Sequence, residues 1–231
     1  MSGAPRLAFL AGLCWALAAG LAVLVIRQNE WLVSSDYRLG RNIFTFAREN
    51  PAVLQVLRLW NAVGGPLIST IVVVIVVAVL LLKRYRGWAL FLAVCSLGGV
   101  LINEVIKGLV DRTRPSWPDP FITAQGSSFP SGHSAAGIFA WAVLGLVAMY
   151  LVRGSTGLIV GWALVIFGVL QAPSRVVLGV HWVSDVVTGQ LVAMGWVLIV
   201  SAASLWLVGH STRGGADAQA RVSPGAEGAT T

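Results

Sequence analysis

The chain has 231 residues, of which 57% are apolar and only 11% charged, against about 25% charged in an ordinary soluble domain. That excludes a disordered chain, and two cysteines exclude a disulfide-built scaffold; an integral membrane protein is what remains. The net charge of +7 suits anionic lipid or an anionic substrate, and in so apolar a chain nucleic acid is the least fitting partner.

In chain order, six stretches reach or approach the roughly 20 apolar residues that carry a helix across a bilayer. They are 7–26, 66–82, 87–106, 134–152, 157–173 and 186–208, and Glu104 is the one charged residue inside them. The first has too long an apolar run for a cleaved signal peptide and no clear cleavage site, so it reads as a retained helix. The second is rich in Val and Ile, but open strands cannot satisfy their backbone in lipid, which favours a helix. Segment 27–65 holds two short amphipathic stretches, 36–48 and 51–63. In the latter, Pro51 suits a first helical turn, and Val53, Leu54, Leu57 and Trp60 share a face. Such helices lie at the membrane interface, either packed on the bundle or forming a flap over a lipid entrance. Gly157 and Gly161 make a GxxxG, a weak dimerisation signal, and Cys14 and Cys95 read as apolar fillers. Gly, Ala, Ser and Thr dominate from His210 onward, which predicts a disordered tail. The expectation is an all-α bundle of six transmembrane helices over 1–209, with short interfacial helices between spans one and two and a tail over 210–231.

Ionisable groups beside a span are costly, and they collect in three places. Lys107, Asp111, Arg112 and Arg114 leave the third span; Pro130-Ser131-Gly132-His133 enters the fourth; Ser174-Arg175 leaves the fifth and His181 and Asp185 precede the sixth. Helix parity puts all three clusters on one side of the membrane. A bundle that joins these ends gathers Lys107, Arg112, Arg114, Arg175, His133, His181 and Asp185 into one pocket.

Three or four converging cations need an anion. Arg forks match phosphate oxygens and Lys adds a point charge. Pro-Ser-Gly at a helix start adds backbone N–H groups, the positive end of the helix dipole and room for close approach. His181 and Asp185 are four apart, on one helical face, so the carboxylate can fix the tautomer and raise the nucleophilicity of the far ring nitrogen. His133 is placed to protonate a leaving oxygen, and the cations would stabilise the transferring group. Any one of these residues alone reads as a snorkelling anchor, a helix cap or a turn; their clustering on same-side ends of four spans does not. Other polar residues keep a structural reading. Glu104 neutralises Lys107 one turn away, Asp111 and Asp119 are loop or salt-bridge residues rather than metal ligands, and Asn103, Gln171 and Gln190 are interhelical hydrogen bonders. The ten tryptophans sit mostly near span ends, as an interfacial belt would have them.

In these motifs the chain resembles the type 2 phosphatidic acid phosphatase (PAP2) superfamily of membrane lipid phosphatases. The family pattern Lys-x6-Arg-Pro, Pro-Ser-Gly-His and Ser-Arg-x5-His-x3-Asp is met at Lys107 with Arg114-Pro115, at Pro130 to His133, and at Ser174-Arg175 with His181 and Asp185. The resemblance implies that His181 forms a phosphohistidine, Asp185 orients it, and His133 acts as general acid. Lys107, Arg114, Arg175, Ser131 and the Gly132 amide would hold the phosphoryl group. Arg112 lies outside the pattern and joins the phosphate ligands on charge alone. Members of this kind are typically metal-independent, so no cofactor is expected. The vanadium haloperoxidases have similar motifs, but they are soluble, and six apolar spans argue against them.

The implied substrate is a lipid phosphate or pyrophosphate: phosphatidic acid, phosphatidylglycerol phosphate, diacylglycerol pyrophosphate or polyprenyl pyrophosphate. A phosphotransferase using the same site and a non-enzymatic binder or transporter of anionic lipid are the alternatives. Partners are the substrate and the bilayer, and six spans of this size are enough for a monomer. On charge, the loops on the side of the termini carry seven basic residues and the other side nine, four of them in the pocket. The dense 83–86 cluster on a very short loop favours cytoplasmic termini. The resemblance implies the same, with the active site on the outer face of a plasma or inner membrane.

Overall fold

The computed structural model describes residues 3–222, with side chains as far as residue 209. Among the described residues there are helices and loops and no strand. The order is α1 (Gly3–Ile26), α2 (Glu30–Glu49), α3 (Pro51–Val63), α4 (Pro66–Leu82), α5 (Arg86–Leu109), α6 (Gly132–Leu151), α7 (Ser155–Val169), α8 (Gln171–Val177) and α9 (Val183–Val222). Local chemistry sets several of the starts. Asn29 caps α2, its Oδ1 accepting from the Leu32 amide at 3.2 Å, so that helix begins six residues before the expected 36–48 stretch. Pro51 and Pro66 stand in the first turns of α3 and α4, where a missing N–H is harmless.

Among the described residues, five segments are long and apolar enough to cross a membrane: Gly3–Ile26, Arg86–Leu109, Gly132–Leu151, Ser155–Val177 and Val183–Gly209. The expected second span lies where hydropathy put it but has only 17 residues. It completes a sixth crossing when taken with α3, from which it bends by 44°. The backbone of α9 stays helical to Val222, so the boundary expected at 209 falls inside a helix; adding residues to a formed helix costs far less than starting one. Residues 223–231 of the expected tail lie outside the described residues.

α6 is the enclosed helix of the bundle. In its most apolar window 67% of the residues are buried, against 22–33% in the other four long spans. Its residues Ala135, Phe139, Val143 and Leu144 join Val73 of α4, Leu92 and Cys95 of α5, and Ala193 and Val197 of α9 in the main core. Small residues bring α7 against it. A Cβ on Gly137 would collide with the Gly168 carbonyl oxygen, and one on Gly161 would lie 2.8 Å from that of Gly145. The GxxxG at Gly157 and Gly161 is therefore spent on a contact within the chain, because close backbone approach is what that motif supplies.

α2 is amphipathic and docks on the polar end of the bundle through Leu32, Asp36, Gly40, Phe44 and Ala47, all buried. α3 has no buried residue. Loop 110–131 is tied beneath both. Arg48 donates to the Pro118 carbonyl and, at 3.2 Å, to that of Asp119, while Arg58 donates to the Phe121 carbonyl at 3.2 Å. Phe44 stacks on Trp117 and Phe121 with ring centroids 5.3 and 4.4 Å apart.

Candidate active site

The end of α5, the start of α6, α8 and the start of α9 meet at one end of the bundle, as helix parity requires. Glycine closes the seam between α6 and α9: a Cβ on Gly189 would lie 2.5 Å from the Ser131 carbonyl oxygen. At that approach the Ser131 amide donates to the Asp185 carbonyl at 3.0 Å, which locks the two helix starts together. Ser131 is fully buried and caps α6; its Oγ accepts from the Ser134 hydroxyl at 2.9 Å, leaving its own proton to donate. Lys107 reaches the same helix end, since a Cβ on Gly132 would lie 3.4 Å from its Nζ. Glu104 pairs with Lys107 at 2.9 Å as expected. His133, half-buried in the first turn of α6, lies under the turn between α3 and α4; its Nε2 would be 3.7 Å from a Cβ on Gly65.

His181 sits in the loop before α9 and is 4% exposed. Its Nδ1 faces Asp185 Oδ2 at 3.5 Å, longer than a hydrogen bond, and its Nε2 lies 3.1 Å from Arg114 Nη1. The pairing assigns the tautomer: Nδ1 carries the proton toward the carboxylate, and Nε2 presents its lone pair to the guanidinium. Burial holds the imidazole down to about 4 from its ordinary 6.5, with Asp185 pulling up and Arg175 and Arg114 pushing down. His181 is therefore neutral near pH 7, the form a nucleophile needs. Asp185 is itself fixed: Oδ2 accepts from the Trp182 amide at 2.9 Å, the backward half of a capping box.

The two remaining motif cations rest on neutral acceptors. Arg114 donates to the carbonyls of Gly126, Val180, Gln125 and Ser127 at 2.9–3.1 Å. Arg175, 4% exposed, donates to Asn61 Oδ1 on α3, and its Nε is without a hydrogen-bond partner. Lys107, Arg114, Ser131, Gly132, His133, Arg175, His181 and Asp185 thus converge.

Arg112 does not join them as a free phosphate ligand. Its guanidinium bridges Asp36 at 2.8 Å and Asp185 at 2.5 Å and donates to Ser184 Oγ at 2.7 Å, because two buried carboxylates hold a fork more strongly than an open pocket does. Sequence reasoning missed Asp36, Ser184 and Asn61. Asp36 left a trace: it stands four residues from Leu32 and four from Gly40, on the apolar face of α2, where a carboxylate demands a partner. Of the expected interhelical amides, Gln190 donates to the Val169 carbonyl at 2.8 Å. Gln171 is buried with neither side-chain atom hydrogen-bonded, and Asn103 bonds within its own helix, to Glu104.

Beside Lys107 and Gly132 begins a groove of about 620 Å³ between α4 and α5, floored by α6. Beyond Asn103, Glu104 and Lys107 its walls are almost wholly apolar, running along Val73, Val77 and Leu81 of α4 and Leu97 and Val100 of α5.

The profile of the PAP2 superfamily matches residues 86–208, more than half of the chain. Phosphatidylglycerophosphatase B of Bacillus subtilis (strain 168) is 37% identical over 94 residues, which cover 38% of this chain and 44% of that protein. The match thus spans less than half the length of that relative. The crystal structure of a transmembrane PAP2 type phosphatidylglycerolphosphate phosphatase from Bacillus subtilis aligns at a TM-score of 0.73 and 22% identity, over 84% of this chain and 94% of that one. The profile runs from α5 into α9, the segment that carries every motif residue, and the shared fold extends well beyond it: this chain is an integral membrane protein of the PAP2 superfamily.

Proposed function

We propose that the protein is a metal-independent phosphatase of a lipid phosphate, acting through a phosphohistidine on His181. The observation that carries this reading is the junction of two unlike surfaces. A cluster of cations and histidines abuts, at Lys107 and Gly132, an apolar groove open along the span. A phosphate headgroup fits the first and an acyl chain the second. Phosphatidylglycerol phosphate leads the four candidate substrates, on the similarity to phosphatidylglycerophosphatase B.

In this mechanism the phosphate displaces the carbonyls on Arg114 and the Asn61 amide on Arg175, and Lys107, Ser131 and the α6 amides complete the cradle. His181 Nε2 attacks phosphorus; the P–N bond forms as the P–O bond to the lipid breaks, and His133 gives its proton to the departing oxygen. Water then loses a proton to His133 and attacks the phosphohistidine, releasing inorganic phosphate and free His181. The cations stabilise charge on the equatorial oxygens in both steps. The site faces the outer side of the membrane, with the N-terminus cytoplasmic, and one chain holds every residue the reaction uses.

The test is phosphate release by detergent-purified protein from the four lipids, with chelator in excess, beside His181→Ala. Release by the native protein alone, unaffected by chelator, is expected. Transfer of labelled phosphate to a second lipid without free phosphate would make the protein a phosphotransferase. Lipid binding that His181→Ala leaves intact, without turnover by native protein, would make it a binder.

A further inference from the structure

Asp36 and Arg112 lie outside the motif positions, yet they build a buried charged chain that ends on the catalytic carboxylate. We propose that both are positioning residues: α2 reaches through Arg112 to hold Asp185 against His181 and to set how strongly that carboxylate acts on the imidazole. The inference rests on His181 being the nucleophile.

Asp36 is 3% exposed and accepts from three donors: the Ser184 amide at 3.0 Å, the Ser184 hydroxyl, and Arg112 Nη2 at 2.8 Å. Arg112 passes the link to Asp185 Oδ1 at 2.5 Å, with its guanidinium 5.8 Å from the Trp182 ring centroid. The other oxygen, Oδ2, is held by the Trp182 amide and is the one that faces His181. Both oxygens are pinned, so the carboxylate cannot rotate away. A buried ion pair serving stability alone has no reason to end on the group that faces the nucleophile.

The charges give the proposal a sign. Asp36, Arg112 and Asp185 together carry one net negative charge beside His181. Loss of Arg112 leaves two, which favours the imidazolium; loss of Asp36 leaves none, which disfavours it. The other charged and titratable groups around His181 are Arg114 from the loop after α5, Arg175 from α8, Lys107 from α5 and His133 from α6; none is altered in the variants below.

The experiment is a pH titration of 13C-histidine-labelled protein in detergent, followed by NMR. The chain has three histidines, and the His181 signal is the one that His181→Ala removes. Expected is a His181 midpoint above native in Arg112→Gln, below native in Asp36→Asn, and back toward native in the double variant. Phosphate release in each single variant falls about 10–100-fold in kcat, as for partners that orient an active-site ligand, with KM nearly unchanged. Arg112→Lys keeps the charge and loses the fork, so it retains the native midpoint and loses about tenfold in kcat. This variant, which keeps every buried charge of the chain, and the double variant, which keeps the native net charge on Asp185 alone, keep the test decisive if a single neutral variant fails to fold. Unchanged midpoints with unchanged kcat would overturn the proposal while leaving the phosphatase reading intact. Shifted midpoints with full turnover by His181→Ala would instead overturn the phosphohistidine reading and, with it, the positioning role of Asp36 and Arg112.

Discussion

Gly189→Ala separates geometry from stability at this site. The new methyl would meet the Ser131 carbonyl oxygen at 2.5 Å, with the Ser131 carbonyl carbon and amide nitrogen at 3.4 Å. Carbon–oxygen contacts settle near 3.3–3.6 Å, so α9 must draw back from the head of α6 by roughly 1 Å. Both surfaces are backbone, and no flexible side chain absorbs the shift. The displacement opens the bond from the Ser131 amide to the Asp185 carbonyl, now 3.0 Å. It also separates His181 and Asp185 from Gly132 and His133. A misplacement of about 1 Å at reacting groups costs on the order of 100-fold in rate. Stability should fall by no more than about 2 kcal/mol, because Ala gains about 1 kcal/mol over Gly within a helix while overpacking costs about 1–3 kcal/mol. The assay pairs initial rates of phosphate release with thermal unfolding, beside Gly108→Ala, where nothing lies within 4 Å of the added methyl. The expected result is a loss near 100-fold in kcat for Gly189→Ala, native activity for Gly108→Ala, and a cooperative unfolding transition in both, with Gly189→Ala less stable by no more than about 2 kcal/mol. A Gly189→Ala protein within twofold of native kcat would refute the claim that this seam sets the catalytic geometry.

Two further outcomes follow from the charge and shape of the site. His181 has its folded pKa lowered from 6.5 to about 4, so its contribution to stability is present above pH 6.5 and is lost as pH falls toward 4. The loss amounts to about 3 kcal/mol, and unfolding monitored between those pH values should show it in native protein and lack it in His181→Ala. Val77→Trp projects a large ring into the groove beside α4. It should raise KM for a long-chain lipid phosphate about tenfold, the effect of displacing a few methylenes from apolar contact, and leave a short-chain analogue unaffected; equal effects on both would mean that the chain lies elsewhere.

The spans and the motif residues were legible because their signals are local. An uninterrupted apolar run marks a helix in lipid wherever its neighbours are, and loop parity then places Lys107, His133, Arg175 and His181 on one side without any knowledge of packing. The links of Arg112 could not be read that way. Its partner Asp36 is 76 residues distant, and nothing in 107–115 distinguishes an arginine that faces a ligand from one that faces a buried carboxylate. The GxxxG of α7 has the same ambiguity, since its spacing specifies close approach but not whether the partner is α6 or a second chain. The short α4 differs in kind. Its 17 residues read as a full span by composition, and the 44° bend at Gly64–Gly65 that sets it off from α3 has no local signal beyond two glycines.

The distribution of partners among the cations shows which of them can take an anion. Lys107 is paired with Glu104, and Arg112 with Asp36 and Asp185. Among the described residues, no carboxylate lies within 4.0 Å of Arg114 or Arg175. These two guanidiniums are held instead by backbone carbonyls and by Asn61. Arg114 and Arg175 thus add to the burial that disfavours the His181 imidazolium, because neutral acceptors orient a cation without cancelling its charge. A phosphate that displaces them exchanges dipoles for a full negative charge, which is favourable in a place largely shielded from water. The same negative charge raises the proton affinity of the nearby imidazoles. In the proposed mechanism the lipid phosphate would thereby supply part of the electrostatics for its own cleavage.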